Sequence, residues 1–202
     1  GIKRVNGAYQ RPKKPLLISN LKEIIKVLDQ KEKNETKRIR NKSLILLGFS
    51  GGFRRSELVN LYYDDLEFVN EGLKIFIKRS KTDQTGLGSI KAIPYFSNEE
   101  FCPVIKLKDW MRYRNIREGK IYNISDKSVS LTLKKYASLA GLDPNLYGGH
   151  SLRSGFATSA AEAGAEERNI MAMTGHKTTQ MVRRYIQEAN LFKNNALNKI
   201  KI

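Results

Sequence analysis

Cysteine is almost absent from this chain and histidine nearly so: Cys102 stands alone among 202 residues, and the two histidines are His150 and His176. A lone cysteine excludes an internal disulfide and any cysteine-rich zinc module, and two histidines are too few for a common metal site. The sequence therefore predicts no metal and no other cofactor. Long apolar runs are missing too. The longest, such as Leu44 to Gly48, are core-sized, and neither a membrane span of about 18 residues nor a signal-peptide pattern appears. These absences predict a soluble, cytoplasmic protein without a membrane partner. Acidic side chains are the last scarcity, 20 against 37 Lys and Arg, which leaves a formal net charge of +17. That imbalance exceeds what solubility requires and points to a polyanionic partner. Lys and Arg recur along the whole chain, so the charge is spread over a folded surface, where a phosphate backbone can be tracked.

Hydrophobic residues make up 40% of the sequence, enough for one sizeable core. Residues 1–15 carry Lys3, Arg4, Arg11, Lys13 and Lys14 without an acidic residue, and Pro12 and Pro15 oppose helix there, so the segment reads as a basic linker. A first residue of Gly rather than Met leads us to expect a piece of a longer chain with a domain upstream. Asn20 to Glu23 resembles a capping box that opens a helix running to about Gln30. The next helix is predicted over about Thr36 to Phe49, ending at Gly51-Gly52, with a short one starting near Arg54. Leu73 to Lys78 and Ser89 to Pro94 alternate as half-buried strands and form a predicted β-hairpin. Further helices are predicted at about 103–117, 126–140, 150–164, 166–174 and 178–187. Beyond them lies an apolar tail, with Leu191, Phe192, Leu197 and Ile200 available for packing on its own core or on a neighbour. The fold class is mainly α with a small antiparallel hairpin or sheet.

Four places combine basic or nucleophilic side chains with turn signals. In Gly51-Gly52-Phe53-Arg54-Arg55-Ser56-Glu57-Leu58, arginines open a helix after a Gly-rich turn, a position suited to holding an anion bidentately, with Glu57 placed to steady a guanidinium. A solvated first helical turn is the plain alternative. Ser80 to Gly86 forms a predicted hairpin tip carrying Lys81, and exposed lysines are ordinary at such tips. In Gly148-Gly149-His150-Ser151-Leu152-Arg153, the imidazole and guanidinium are three residues apart and share a helical face, as a surface or capping pair also would. Thr174-Gly175-His176-Lys177 precedes Tyr185, which by itself reads equally as core filler.

Together the four sites resemble the signature of the tyrosine recombinase family, the phage integrases and their relatives. The resemblance rests on Gly-x-Arg-x-Ser-Glu-Leu, a hairpin Lys, His-x-x-Arg, and Gly-His followed nine residues later by Tyr, over about residues 45–187. It implies a catalytic set of Arg54, Lys81, His150, Arg153, His176 and Tyr185, with Glu57 in support. Arg55 competes with Arg54 in the first motif, and Lys78 and Lys91 compete with Lys81. The resemblance further implies a catalytic domain over 16–187 and a tail, 188–202, that docks on a neighbouring protomer. A DNA-binding domain ahead of the 1–15 linker would complete a clamp on double-stranded DNA. The implied activity is site-specific recombination through a 3′-phosphotyrosine at Tyr185, without metal or nucleotide, by protomers assembled as a tetramer on paired sites in the nucleoid. Lys3, Arg4, Arg11, Lys13, Lys14, Arg55, Lys78 and Lys177 are the expected DNA contacts. A type IB topoisomerase shares this chemistry, and a catalytically silent DNA-binding module shares the charge.

Overall fold

The structure, a computed structural model, describes residues 13–78, 88–192 and 195–200. Among these, eight α-helices are joined by a three-stranded antiparallel sheet, which bears out the mainly helical fold class. The first helix, α1 (Ile18–Lys31), buries Leu21, Ile24, Ile25 and Leu28 at helical spacing. α2 (Glu35–Ser50) is capped by Asn34, whose side chain accepts from the Lys37 amide, and its second half is buried on every side. A helix with that burial forms the centre of a domain. Around it pack α1, α4 (Pro103–Tyr113), α5 (Asp126–Leu139) and α6 (Gly149–Glu162), and Leu44, Leu107, Leu133 and Leu152 meet in one core.

A polar network pins α1 to α5 within this core. Glu32, nearly buried, accepts from Tyr136 and Lys135 at 2.5 Å each, and these bonds hold its carboxyl at about 2, below the usual carboxylate range. Asn41 of α2 donates to the same tyrosine oxygen at 3.1 Å. Strands β1 (Leu66–Val69), β2 (Gly72–Ile77) and β3 (Ser89–Pro94) lie in sequence order, with Ile75 opposite Lys91 and Leu73 opposite Ile93. Residues directly opposite share a face, so the register turns Lys91 toward the core and leaves Ile90 exposed.

Several sequence expectations need correction. Asn20 does not cap α1: the helix begins after Leu17, and the Asn20 side chain donates instead to the Tyr147 hydroxyl at 2.9 Å. The helix expected to reach 117 stops at Tyr113, because Asn115 turns left-handed at φ 51° and the Ile116 amide bonds back to the Met111 carbonyl. β1 extends the predicted hairpin to three strands. The backbone at the end of the expected 1–15 linker is fastened to the domain, the Lys14 amide donating to Leu146 O at 2.8 Å, and just past it the Leu16 amide donates to Ser151 O at 2.9 Å. Leu16 crosses α6 so closely at Gly155 that a Cβ there would stand 2.1 Å from its carbonyl oxygen.

The chain ends its helical part with α7 (Glu167–Thr174) and α8 (Thr179–Asn190). α7 is closed by Gly175 in the left-handed conformation, φ 64°, the predicted glycine stop. These helices form a small second cluster, in which Ala157, Ala161, Ile170 and Val182 are buried.

Candidate active site

The turn Gly51–Phe53 brings the chain from α2 into α3 (Arg55–Val59), with Arg54 as the residue before the first helical turn. Glu57 is buried and holds Arg54 twice, accepting from its amide at 3.0 Å and from its guanidinium Nη1 at 2.6 Å. Arg54 Nη2 also donates to Gly175 O at 3.3 Å. Arg55 diverges, donating to Ser130 Oγ of α5 at 3.0 Å while its stem lies against Gly149. Arg54 thus faces the His176 turn, and Arg55 faces α5. Phe53, Arg54, Arg55, Ser56, Asp126, Gly149 and His150 line a cavity of about 380 Å³.

Arg153 projects from α6 and is only 2% exposed, a costly place for a guanidinium. Its Nη1 donates to Gly52 O at 2.9 Å, whereas Nη2 is buried without a hydrogen-bond partner among the described residues. Burial and the neighbouring Arg54 charge push its pKa down to about 10, which leaves it protonated at neutral pH. A buried cationic donor without a protein acceptor is the feature an anion satisfies.

One turn earlier on α6, His150 places Nε2 3.5 Å from the Tyr185 hydroxyl. Desolvation, then the charges of Arg153, Arg54 and Arg55, lower its pKa, so the neutral ring is available to accept a proton. His176 is buried, with its ring centroid 6.0 Å from that of Tyr185. Burial first, then Arg153, Arg54, His150 and Lys91, lower its pKa to about 4. Tyr185 itself is partly buried on α8 against the small second cluster.

The remaining expected residues divide. Lys81, Lys3, Arg4 and Arg11 lie outside the described residues. Lys78 is exposed at the end of β2 and pairs with Asp65 at 2.7 Å. Lys13, Lys14 and Lys177 are exposed. Lys91 is buried at 5% exposure, with its ammonium on the carbonyl oxygens of Gly51, at 2.9 Å, and Met173. Burial lowers its pKa to about 8. That placement ties the Gly51 turn to the end of α7. Sequence reasoning missed this role and that of Thr174, whose hydroxyl contacts His176 Nδ1 at 2.8 Å. Only the β2–β3 register and the fold of the α7 terminus make them visible.

The model of the phage integrase family matches residues 16–191. The chain belongs to that family. An integrase/recombinase XerD homolog from Selenomonas ruminantium is 45% identical over 98% of this chain and 61% of its own length. The tyrosine recombinase XerA of Pyrococcus horikoshii is 26% identical over 94% of this chain and 62% of its own. The chain thus spans about three-fifths of these relatives. Among solved structures, the XerH site-specific recombinase in a post-cleavage complex with a palindromic difH substrate superposes with a TM-score of 0.74 at 21% identity, covering 98% of this chain and 56% of that one. A lambda integrase dimer on a COC′ core site gives 0.63 at 17% identity, covering 98% of this chain and 54% of that one. Both establish that this integrase chain has the fold of those enzymes.

Proposed function

We propose that this chain is the catalytic part of a site-specific DNA recombinase, which cuts and rejoins double-stranded DNA through a covalent bond between Tyr185 and a 3′ phosphate. One observation carries the reading: the Nη2 of buried Arg153, unpartnered among the described residues, stands in the same cluster as Arg54 and His176, with the Tyr185 hydroxyl 3.5 Å from the neutral His150 imidazole.

The physical problem is that the nucleophile approaches an anion, and the transition state gathers further charge on the non-bridging oxygens. Fixed donors aimed at that charge are the largest catalytic contribution in such sites. Arg54 and Arg153 hold those oxygens, oriented by Glu57 and Gly52. As Tyr185 Oη bonds to phosphorus, its proton passes to His150 Nε2 and the bond to the 5′ oxygen breaks. Lys81 on the β2–β3 connection is the assigned proton donor to that leaving oxygen. A 5′ hydroxyl from a partner strand reverses the step, because the phosphotyrosine conserves the phosphodiester free energy. The positive charge is supplied by side chains, so this route requires neither metal nor nucleotide.

The rest of the functional assignment follows from the same reading. Protomers act as a tetramer on paired sites in the nucleoid, the 188–202 tail docks on a neighbour, and an upstream DNA-binding domain closes the clamp through the 1–15 linker. Lys3, Arg4, Arg11, Lys13, Lys14, Arg55, Lys78 and Lys177 contact the phosphate backbone.

The test incubates the protein and Tyr185→Phe with supercoiled and nicked DNA in EDTA, then adds SDS to trap protein covalently bound to DNA. An adduct formed by the protein and lost in Tyr185→Phe, with DNA binding retained, is the expected result. Equal adduct from both proteins would sink the assignment of the nucleophile, and binding without adduct from either would leave a DNA-binding module.

A further inference from the structure

The hydroxyl of Thr174 is the last side chain of α7 and fully buried. It stands 2.6 Å from the Ile170 carbonyl oxygen and 2.8 Å from His176 Nδ1. A carbonyl oxygen carries no proton, so the single hydroxyl proton must lie on the line to Ile170; otherwise two lone pairs would face each other at 2.6 Å. The bond to His176 then runs the other way, with Nδ1–H donating and Thr174 Oγ1 accepting. In a neutral imidazole one nitrogen is a donor and the other an acceptor, and the partner of one settles the state of the other. His176 Nε2 is therefore left with a lone pair.

The turn around this contact is held from three sides, which keeps the ring from escaping the constraint. Lys91 donates to Met173 O, Arg54 to Gly175 O, and Gly175 is locked left-handed between Thr174 and His176. The ionisable groups facing His176 are Arg54 before α3, Arg153 and His150 on α6, Lys91 on β3 and Tyr185 on α8, with Glu57 neutralising part of the Arg54 charge. At neutral pH burial, and after it this predominantly positive surround, keep the ring uncharged in the free protein.

We propose that Thr174 is a positioning residue that fixes His176 as the Nδ1–H tautomer, so that His176 grips a phosphoryl oxygen only as an imidazolium, after taking up a proton at Nε2 when the anion enters. The proton comes from solvent, and the anion offsets the cations that oppose it. His176 thus acts as a donor recruited by its ligand, ready for charge to appear on the phosphate and silent before. The imidazolium half of this inference rests on the phosphate-site reading above; the tautomer half does not.

The test is nitrogen-15 NMR of the ring nitrogens at pH 7. Two histidines give two spin systems, and His176→Asn identifies which is which. The expected spectrum has a protonated Nδ1 and an unprotonated Nε2 for His176. Thr174→Val, of similar shape but without an acceptor, should shift His176 toward the opposite tautomer, and Thr174→Ser should restore the original. A proton on Nε2 in the unmodified protein, or no change in a Thr174→Val chain that melts normally, overturns the proposal. Sulfate, which takes up no proton near neutrality, then serves as the anion probe. Bound sulfate should raise the His176 titration midpoint by about one unit, a tenfold gain in proton affinity, and by less in Thr174→Val. A midpoint unmoved while the arginine side-chain signals report bound sulfate overturns the imidazolium grip. Sulfate that binds nowhere near Arg153 counts against the phosphate site itself, while the tautomer is read independently.

Discussion

The two halves of the candidate site are built on very different foundations. Arg54 and Arg153 grow from α3 and α6, whose inner faces join the main core through Leu58 and Leu152, and each guanidinium is fixed by a backbone carbonyl. Tyr185 grows from α8, whose Val182 joins Ala157, Ala161 and Ile170 in a cluster of four small or medium buried side chains. Local opening is easiest where buried apolar contacts are few. Arg54 and Arg153 therefore share the stability of the whole domain, whereas Tyr185 is held by a smaller patch that opens at lower free energy.

The sharpest way to probe the grip is Arg153→Met. Covalent adduct formation should fall by roughly a hundred- to a thousand-fold, the usual effect of removing one fixed transition-state donor. Thermal stability should hold or rise, because a partly unpaired buried guanidinium is costly to keep in the fold. A melting temperature that collapses with the activity would show that Arg153 is mainly a structural strut. The foundations themselves are compared by Leu44→Ala and Val182→Ala. The first should cost about 3 kcal/mol and lower hydrogen-exchange protection throughout the domain. The second should cost roughly 2 kcal/mol and lower it in α7 and α8 alone; uniform loss in both variants would erase the distinction between the two halves.

Acid titration reads the grip in another way. His176 is held at about 4 against an ordinary 6.5, so the unfolded chain takes up protons first as the pH falls. Stability is complete above about pH 6.5 and drains away toward pH 4, by roughly 3 kcal/mol from this ring. Denaturant titrations of His176→Asn should show a flatter curve over that range, separable from Glu32, whose own loss runs from 4.5 down to about 2. An identical slope would mean that the ring is solvated. The smallest effect is expected at Arg55→Ala, outside both halves. It should weaken binding to all DNA sequences alike and reduce the dependence on salt by about one phosphate contact.

Much of this architecture was readable from local pattern. The helix stop at Gly51 and the placing of His150 and Arg153 together on α6 depend on short-range chemistry, and they stand where the spacing places them. What escaped depends on long-range geometry. Leu66–Val69 lacks the alternation of an isolated strand and becomes one only through β2. Lys91 reads as an outward polar residue until the register opposes it to Ile75. Asn20 has the composition of a cap, yet Tyr147, distant in sequence, takes its side chain. In the site itself the residue types were legible, but the choice of Arg54 over Arg55 required knowing that Ser130 lies beside the latter.

The crossing of Leu16 over Gly155 bears on how the entering chain is tied to the reacting groups. The strand leading into the domain is hydrogen-bonded to Ser151, the immediate neighbour of His150, so the attachment point and the reacting groups share one rigid frame. Any larger residue at 155 would drive its Cβ into the Leu16 backbone and push that segment off the helix that carries His150.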